Sequence, residues 1–474
     1  MTDLREGAPP PGPRSAPGHR AGQDPTGAAD PGAVTAALSR PRSPRWLPLP
    51  PAWPVVGILA LYPLWWALGL GVLIFPLMAL PMGWWLLRNR PIQVPPGFGL
   101  WLLFLLAVLG STIALGYQPQ GTLPGTFVGR LPGVGFRVIE YASLTVLLLY
   151  VGNLPRPVLP QKKLVALLGW LFVVTVGGGV LGVFAGHWEF SSPVEMLLPQ
   201  RLRSMGFIRS LVHPAAAQVM DVFGGMDIPR PAAPWGYTNT WGNNFCLLVG
   251  FFVIWAFATK RRWLAAVLLV VSVLPVVYSL NRGLWIGLAV MAVYLATRLA
   301  VQGRLWPLFG LGATTAVVGV LLAVSPLGDL VNARVEHGKS NDVRMYVTME
   351  ALRGLPESPL IGFGSTRNTS GGRNSIAVGS SSECERCGNF TLGGNGQLWQ
   401  TLYAHGIIGT LAYFGFFGYG IWRFRRDRTA IGLVCSACLV VSFSAMFWYN
   451  ALVTPLAFQL LAYALLWRNS DAHE

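Results

Sequence analysis

The sequence predicts an all-α polytopic membrane protein with about twelve transmembrane helices and two long extracytoplasmic loops, and three observations predict it. Charged residues make up only 11% of the chain against 53% hydrophobic ones, where a soluble domain carries about a quarter charged residues. Apolar runs of about 20 residues, the length that spans a bilayer core, recur almost free of charge. Basic residues gather in the connections between alternate runs, as the positive-inside rule requires. Mean hydropathy is +0.50, and the 19 Trp and 24 Phe suit lipid-facing helices with aromatic belts.

The runs fall at 52–68, 69–87, 98–116, 134–152, 164–186, 244–259, 263–280, 283–299, 305–325, 397–421, 430–448 and 451–467. The first two are nearly continuous and are split because their sum is too long for one tilted helix. Residues 1–46 are rich in Pro, Gly, Ala and Arg and poor in large apolar residues, so they predict a disordered cytoplasmic tail. The transmembrane domain then covers 47–467, and 468–474 form a short cytoplasmic tail. With both termini inside, every inner connection carries basic residues: Arg88 and Arg90; Arg156, Lys162 and Lys163; Lys260, Arg261 and Arg262; Arg298 and Arg304; Arg423, Arg425, Arg426 and Arg428; Arg468.

That distribution also accounts for the net charge of +16. Topology and anionic headgroups explain it without a nucleic-acid partner. The two long loops, 187–243 and the larger 326–396 between helices 9 and 10, both fall outside, where long connections are usually functional. Within the second, Asp342 to Arg353 predicts an amphipathic helix whose apolar residues Val343, Met345, Tyr346, Met349 and Leu352 lie on the membrane surface or over a cavity.

Twelve Lys and Arg residues, Arg209, Arg230, Arg344, Arg367 and Arg373 among them, fall in outer segments where topology does not require them. They suit either solvated loop surface or a phosphate-bearing ligand, since the guanidinium fork matches phosphate oxygens. Arg282 stands out in Ser279-Leu-Asn-Arg282-Gly283-Leu-Trp-Ile-Gly287, at the outer junction of two helices. A guanidinium at that depth is costly unless it snorkels or is paired, and marks a candidate site. Glu140 is the one acidic residue inside an apolar run; Arg137 one turn earlier predicts an i,i+3 ion pair, and a proton-coupled transporter would also use such a carboxylate.

Four histidines, His187, His213, His337 and His405, lie in the loops or helices, and His405 is a candidate proton acceptor about eight residues into the tenth helix. Cys384 and Cys387 form a CxxC in the outer loop that suits a local disulfide, whereas Cys435 and Cys438 suit packing and Cys246 stands alone. No DxD motif or P-loop is present, which argues against a metal-held nucleotide donor; no cofactor and no metal site are expected.

Together these elements resemble the O-antigen ligase and O-antigen polymerase superfamily of bacterial membrane glycan transferases. The resemblance runs from about Arg230 to Gly409. It rests on the Ser279 to Gly287 stretch, on Asn341-Asp342-Val-Arg344 followed by Ser358-Pro-Leu-Ile-Gly-Phe-Gly364, and on Gln397-Leu-Trp-Gln400 leading to Gly406-Ile-Ile-Gly409. Arg230 opens a further Gly/Asn-rich stretch reaching Asn244. The resemblance implies transfer of a glycan from a polyprenyl-diphosphate carrier to a hydroxyl of a glycan or glycolipid acceptor. This would take place at the outer face of a bacterial plasma membrane, among membrane lipids, without nucleotide or metal. Arg282, Arg344 and Arg230 would hold the diphosphate. Family ligases carry a His eleven residues before the Gly-x-x-Gly; here that position is Asn395, which can position a hydroxyl but cannot act as a base. The base then falls to His405 or His337, or the acceptor needs none, or the activity has changed. Two other readings stay open: a transporter or flippase for a lipid-linked glycan, and a non-catalytic assembly factor.

Overall fold

Helices form where the apolar runs lie. A computed structural model describes residues 50–221, 227–324, 339–370 and 389–470, which are mostly helical. The predicted tail 1–46 lies outside the described residues, as do His337, Arg373, Cys384 and Cys387. The first run becomes α1 (Trp53–Ala60) and α2 (Tyr62–Leu68), and the second becomes α3 (Ile74–Arg88) after a turn at Gly69. Then come α4 (Phe98–Gly110) with a 3-10 turn at Ser111–Gly116, α5 (Phe127–Asn153) and α6 (Gln161–Phe184). Further on lie α10 (Thr238–Ala258), α11 (Arg262–Tyr278), α12 (Arg282–Val301) and α13 (Trp306–Val324). The last three are α15 (Gln397–Arg423), α16 (Ala430–Ala445) and α17 (Thr454–Ser470). Among the described residues five helical segments are long and apolar enough to cross a membrane, consistent with an all-α membrane protein.

The chain between 187 and 243 is built rather than structureless. It holds three short helices, α7 (Pro193–Leu197), α8 (Gln200–Arg203) and α9 (Gly206–Val212), and an antiparallel hairpin of β1 (Ala217–Asp221) and β2 (Asp227–Pro231). The chain on either side of the hairpin presses onto glycines of α6: a Cβ at Gly178 would lie 2.2 Å from the Ala233 carbonyl oxygen, and one at Gly182 2.7 Å from that of Ala216. Small residues are what permit such backbone approach between packed elements. His213 tethers the same segment, with Nδ1 2.8 Å from Glu195 and Nε2 3.4 Å from Glu189.

In the second long loop the predicted amphipathic helix forms as α14 (Lys339–Gly354), and a second hairpin pairs β3 (Arg367–Ser370) with β4 (Asn389–Leu392). The buried face of α14 is not the one with the largest apolar residues. Val347 and Ala351 pack with Phe363, Leu392 and Tyr403, while Met345, Tyr346, Met349 and Leu352 are exposed. Small side chains fit under the Phe363 and Tyr403 rings; the bulky ones are left outward.

At the centre of the bundle α10 packs against α6, α12, α16 and α17. Trp241 is fully buried there and donates its indole N–H to the Thr175 carbonyl at 2.9 Å. On the other side α4 meets α15 through Trp101, Phe104, Tyr413, Phe416 and Phe417. Two charged residues depart from expectation. Arg137 does not pair with Glu140: its Nη2 reaches Thr366 Oγ1 at 3.1 Å, and both Glu140 oxygens lack a hydrogen-bond partner among the described residues. Arg468, predicted to open a cytoplasmic tail, is buried within α17, and its Nη1 donates to the Val151 and Leu154 carbonyls at 2.6 Å each. It caps the end of α5, whose last carbonyls have no partner within their own helix.

Candidate functional site

The geometry joins three arginines from three distant segments around one turn. That turn, 446–453, connects α16 to α17 and carries Trp448, Tyr449 and Asn450. Arg230 on β2 is buried, and its Nε donates to the Ser279 carbonyl at 2.6 Å, which fixes the guanidinium beside the α11–α12 corner. At that corner Asn281 is the N-cap of α12. Its Oδ1 accepts from the Leu284 amide and from the Tyr449 hydroxyl, and its Nδ2 donates to the Thr238 carbonyl at 3.2 Å. Arg282 follows as the first residue of α12 and Gly283 as the second. A Cβ at Gly283 would lie 2.6 Å from Trp448 Nε1 and from the Tyr449 hydroxyl, so this position has room only for glycine.

Arg344 arrives from α14. Burial holds its guanidinium below the usual arginine value; the nearby Tyr449 phenol opposes that shift and Arg282 adds to it. Burial likewise pushes the Tyr449 phenol up, while Arg344 and Arg230 pull it back. Arg344 and Arg230 therefore both act on Tyr449, and Arg282 acts on Arg344. Asn395 borders the same turn: Asn450 donates to the Gly394 carbonyl at 2.7 Å and accepts from the Gly396 amide at 3.1 Å, and the Gln397 amide donates to the Tyr449 carbonyl at 2.8 Å. A half-buried Asn395 is held between these anchors.

Other sequence candidates lie elsewhere. His405 is buried in α15 with Nδ1 2.9 Å from Ser111 Oγ and its ring edge-on to Phe104. Eight residues separate it from Gln397, about 12 Å along a helix, so it does not join the arginine turn. Arg367 is buried, and backbone carbonyls occupy its guanidinium: Phe363 at 2.8 Å and Ser365 at 3.0 Å, with longer contacts to Ala114, Leu115 and Tyr117. Burial, and Arg130 beside it, push its value down to about 10. Arg130 grips the same carbonyls, Leu115 at 2.5 Å and Tyr117 at 3.2 Å. These two arginines clamp the end of the 3-10 turn. Arg209 is exposed on α9. His337 and Arg373 lie outside the described residues. Among the described residues no three His, Cys, Asp or Glu side chains cluster as metal ligands would.

What residue patterns did not suggest is the join between two of the motifs. α15 breaks at Gly406, where φ is 65° and ψ −168°. The Ser358 to Gly364 turn threads into the break. Amides of Phe363 and Gly364 donate to the Tyr403 and Ala404 carbonyls at 3.0 and 2.8 Å, and amides of Ile407 and Ile408 donate to the Pro359 and Leu360 carbonyls at 2.9 and 3.3 Å. Backbone groups freed by the break are thereby satisfied, as a low-dielectric surrounding demands. Gly362 and Gly406 make it possible: a Cβ on Gly362 would meet the Gly406 amide at 2.6 Å, and one on Gly406 the Leu360 oxygen at 2.3 Å.

No protein-family model matches the chain, and no curated protein matches its sequence.

Proposed function

We propose that the chain is a membrane glycan transferase of the O-antigen ligase and polymerase type. It moves a glycan from a polyprenyl diphosphate to an acceptor hydroxyl at the outer face of a bacterial plasma membrane. The observation that carries this reading is the meeting of Arg230, Arg282 and Arg344 about Tyr449 and Asn281. Guanidinium groups match phosphate oxygens in charge and geometry. In the reaction the acceptor oxygen bonds to the anomeric carbon, and the carbon–oxygen bond to the diphosphate breaks. The electron pair leaves on a diphosphate oxygen, where preorganised cations stabilise it best. The acceptor proton passes to a base or to solvent, while Asn395 can hold the hydroxyl but cannot take its proton.

About twelve spans, with both ends cytoplasmic, put the arginine turn on the outer side, because the inner connections are the basic ones. The exposed Met345, Tyr346, Met349 and Leu352 of α14 then suit the membrane surface above which the lipid's headgroup would sit. Ligase and polymerase share this donor chemistry and differ in acceptor. The test is mass spectrometry of envelope glycans from a strain lacking the protein. Loss of one glycan linkage, with its lipid-linked precursor accumulating, supports transfer; an unchanged glycan profile refutes it.

One observation favours a second reading. Glu140 is fully buried without a hydrogen-bond partner among the described residues, and such a carboxyl within a membrane domain suits a proton-coupled transporter of lipid-linked glycan. Glycan movement across vesicles that collapses with the proton gradient, and in Glu140→Gln, would establish that reading over transfer.

A further inference from the structure

The site contains a hydrogen-bond donor that the sequence did not single out. Trp448 Nε1 is buried and has no hydrogen-bond partner among the described residues. An indole nitrogen can only donate, so it has lost its water contacts with no replacement among the described residues, and a buried unmade hydrogen bond is costly enough to call for a reason. Its position supplies one. The N–H edge of the ring rests against Gly283, beside Arg282, and the next residue, Tyr449, is the one that Arg344 and Arg230 both influence. We infer that Trp448 is a further binding residue of this site, its indole N–H donating to an oxygen of the substrate's diphosphate. This assignment rests on the diphosphate reading above.

Chemistry separates this donor from the arginines. Guanidinium groups attract any anion, whereas a single N–H fixed on a rigid ring selects where one oxygen sits. Gly283 sets that ring's place, because any side chain there would displace the edge that carries the N–H. The small residue after Arg282 and the indole in the turn after α16 are one device.

Binding of a radiolabelled polyprenyl diphosphate to the purified full-length chain in detergent tests the inference, with inorganic pyrophosphate as competitor. Trp448→Phe keeps an aromatic ring, smaller than the indole, and removes the donor. It should weaken binding about ten- to hundredfold, the range for one hydrogen bond to a charged group. Gly283→Ala, which retains the indole and displaces it, should weaken binding to a similar degree. Arg344→Ala should abolish it. Monodisperse elution and an unchanged melting temperature show that each variant is folded, and Gly283→Ala serves if Trp448→Phe is not. If Arg344→Ala loses binding while a folded Trp448→Phe or Gly283→Ala binds like the parent, the Trp448 assignment is overturned and the diphosphate reading stands. If the parent chain binds no polyprenyl diphosphate, both fall.

Discussion

Replacing Gly406 by Ala should destabilise the protein severely, and the magnitude can be built from two local terms. Its backbone, at φ 65° and ψ −168°, lies in a region that is essentially glycine's own, which costs an L-residue about 1–3 kcal/mol. The new Cβ would fall 2.3 Å from the Leu360 carbonyl oxygen and 2.6 Å from the Ile361 nitrogen. Both are backbone atoms and cannot swing away, so the 358–364 turn must withdraw. Withdrawal weakens the four hydrogen bonds that tie it to Tyr403, Ala404, Ile407 and Ile408, each contributing about 0.5–1.5 kcal/mol. With all four lost the sum is about 3–9 kcal/mol, enough to unfold a marginal membrane domain. Gly415→Ala, on the same helix, is the control. Its Cβ would meet nothing closer than Leu100 Cδ1 at 3.6 Å, and alanine favours a helix over glycine by about 1 kcal/mol. Melting of the two variants in detergent, read by fluorescence-detected size exclusion, should show a large drop for Gly406→Ala and none for Gly415→Ala. Equal melting temperatures would refute the interlocked break.

Arg367→Ala should act on stability rather than on substrate. It removes donors to the Phe363 and Ser365 carbonyls, hydrogen bonds worth about 1.5–3 kcal/mol each where a charged group takes part; a lower melting temperature with unchanged diphosphate affinity in the folded fraction is expected. Arg282→Ala should leave insertion and melting nearly intact while transfer falls at least a hundredfold, checked by product formation against membrane-inserted protein. Retained transfer would remove Arg282 from the site.

Much of this was legible in the sequence because membranes impose long apolar runs and segregate charge. The helices begin and end near the predicted runs, and Arg282 and Arg344 were singled out by their cost and their motifs before the fold brought them near Tyr449. The rest was hidden for identifiable reasons. Gly406 sits in an apolar run with helical periodicity, so nothing local announces the break; its partner loop lies more than forty residues earlier. Arg130, Arg367 and Arg468 bind backbone carbonyls, which leave no trace in a pattern of side chains. Spacing alone favours an Arg137–Glu140 pair, but the long guanidinium stem reaches Thr366 instead. Trp448 ends the predicted run 430–448, and Tyr449 and Asn450 lie between it and the run 451–467, so periodicity does not single them out, although three polar-tipped residues in succession were the available signal.

The central claim is that the arginine turn binds the diphosphate of a lipid-linked glycan and supports its transfer. The direct measurement gives purified protein a defined polyprenyl-diphosphate glycan and an acceptor glycan in detergent with a chelator present. The products are then followed by mass spectrometry. The account predicts a new glycosidic linkage and released polyprenyl diphosphate, both lost in Arg344→Ala. Equal product from Arg344→Ala, or no product from the parent chain with any envelope glycan acceptor, would contradict it.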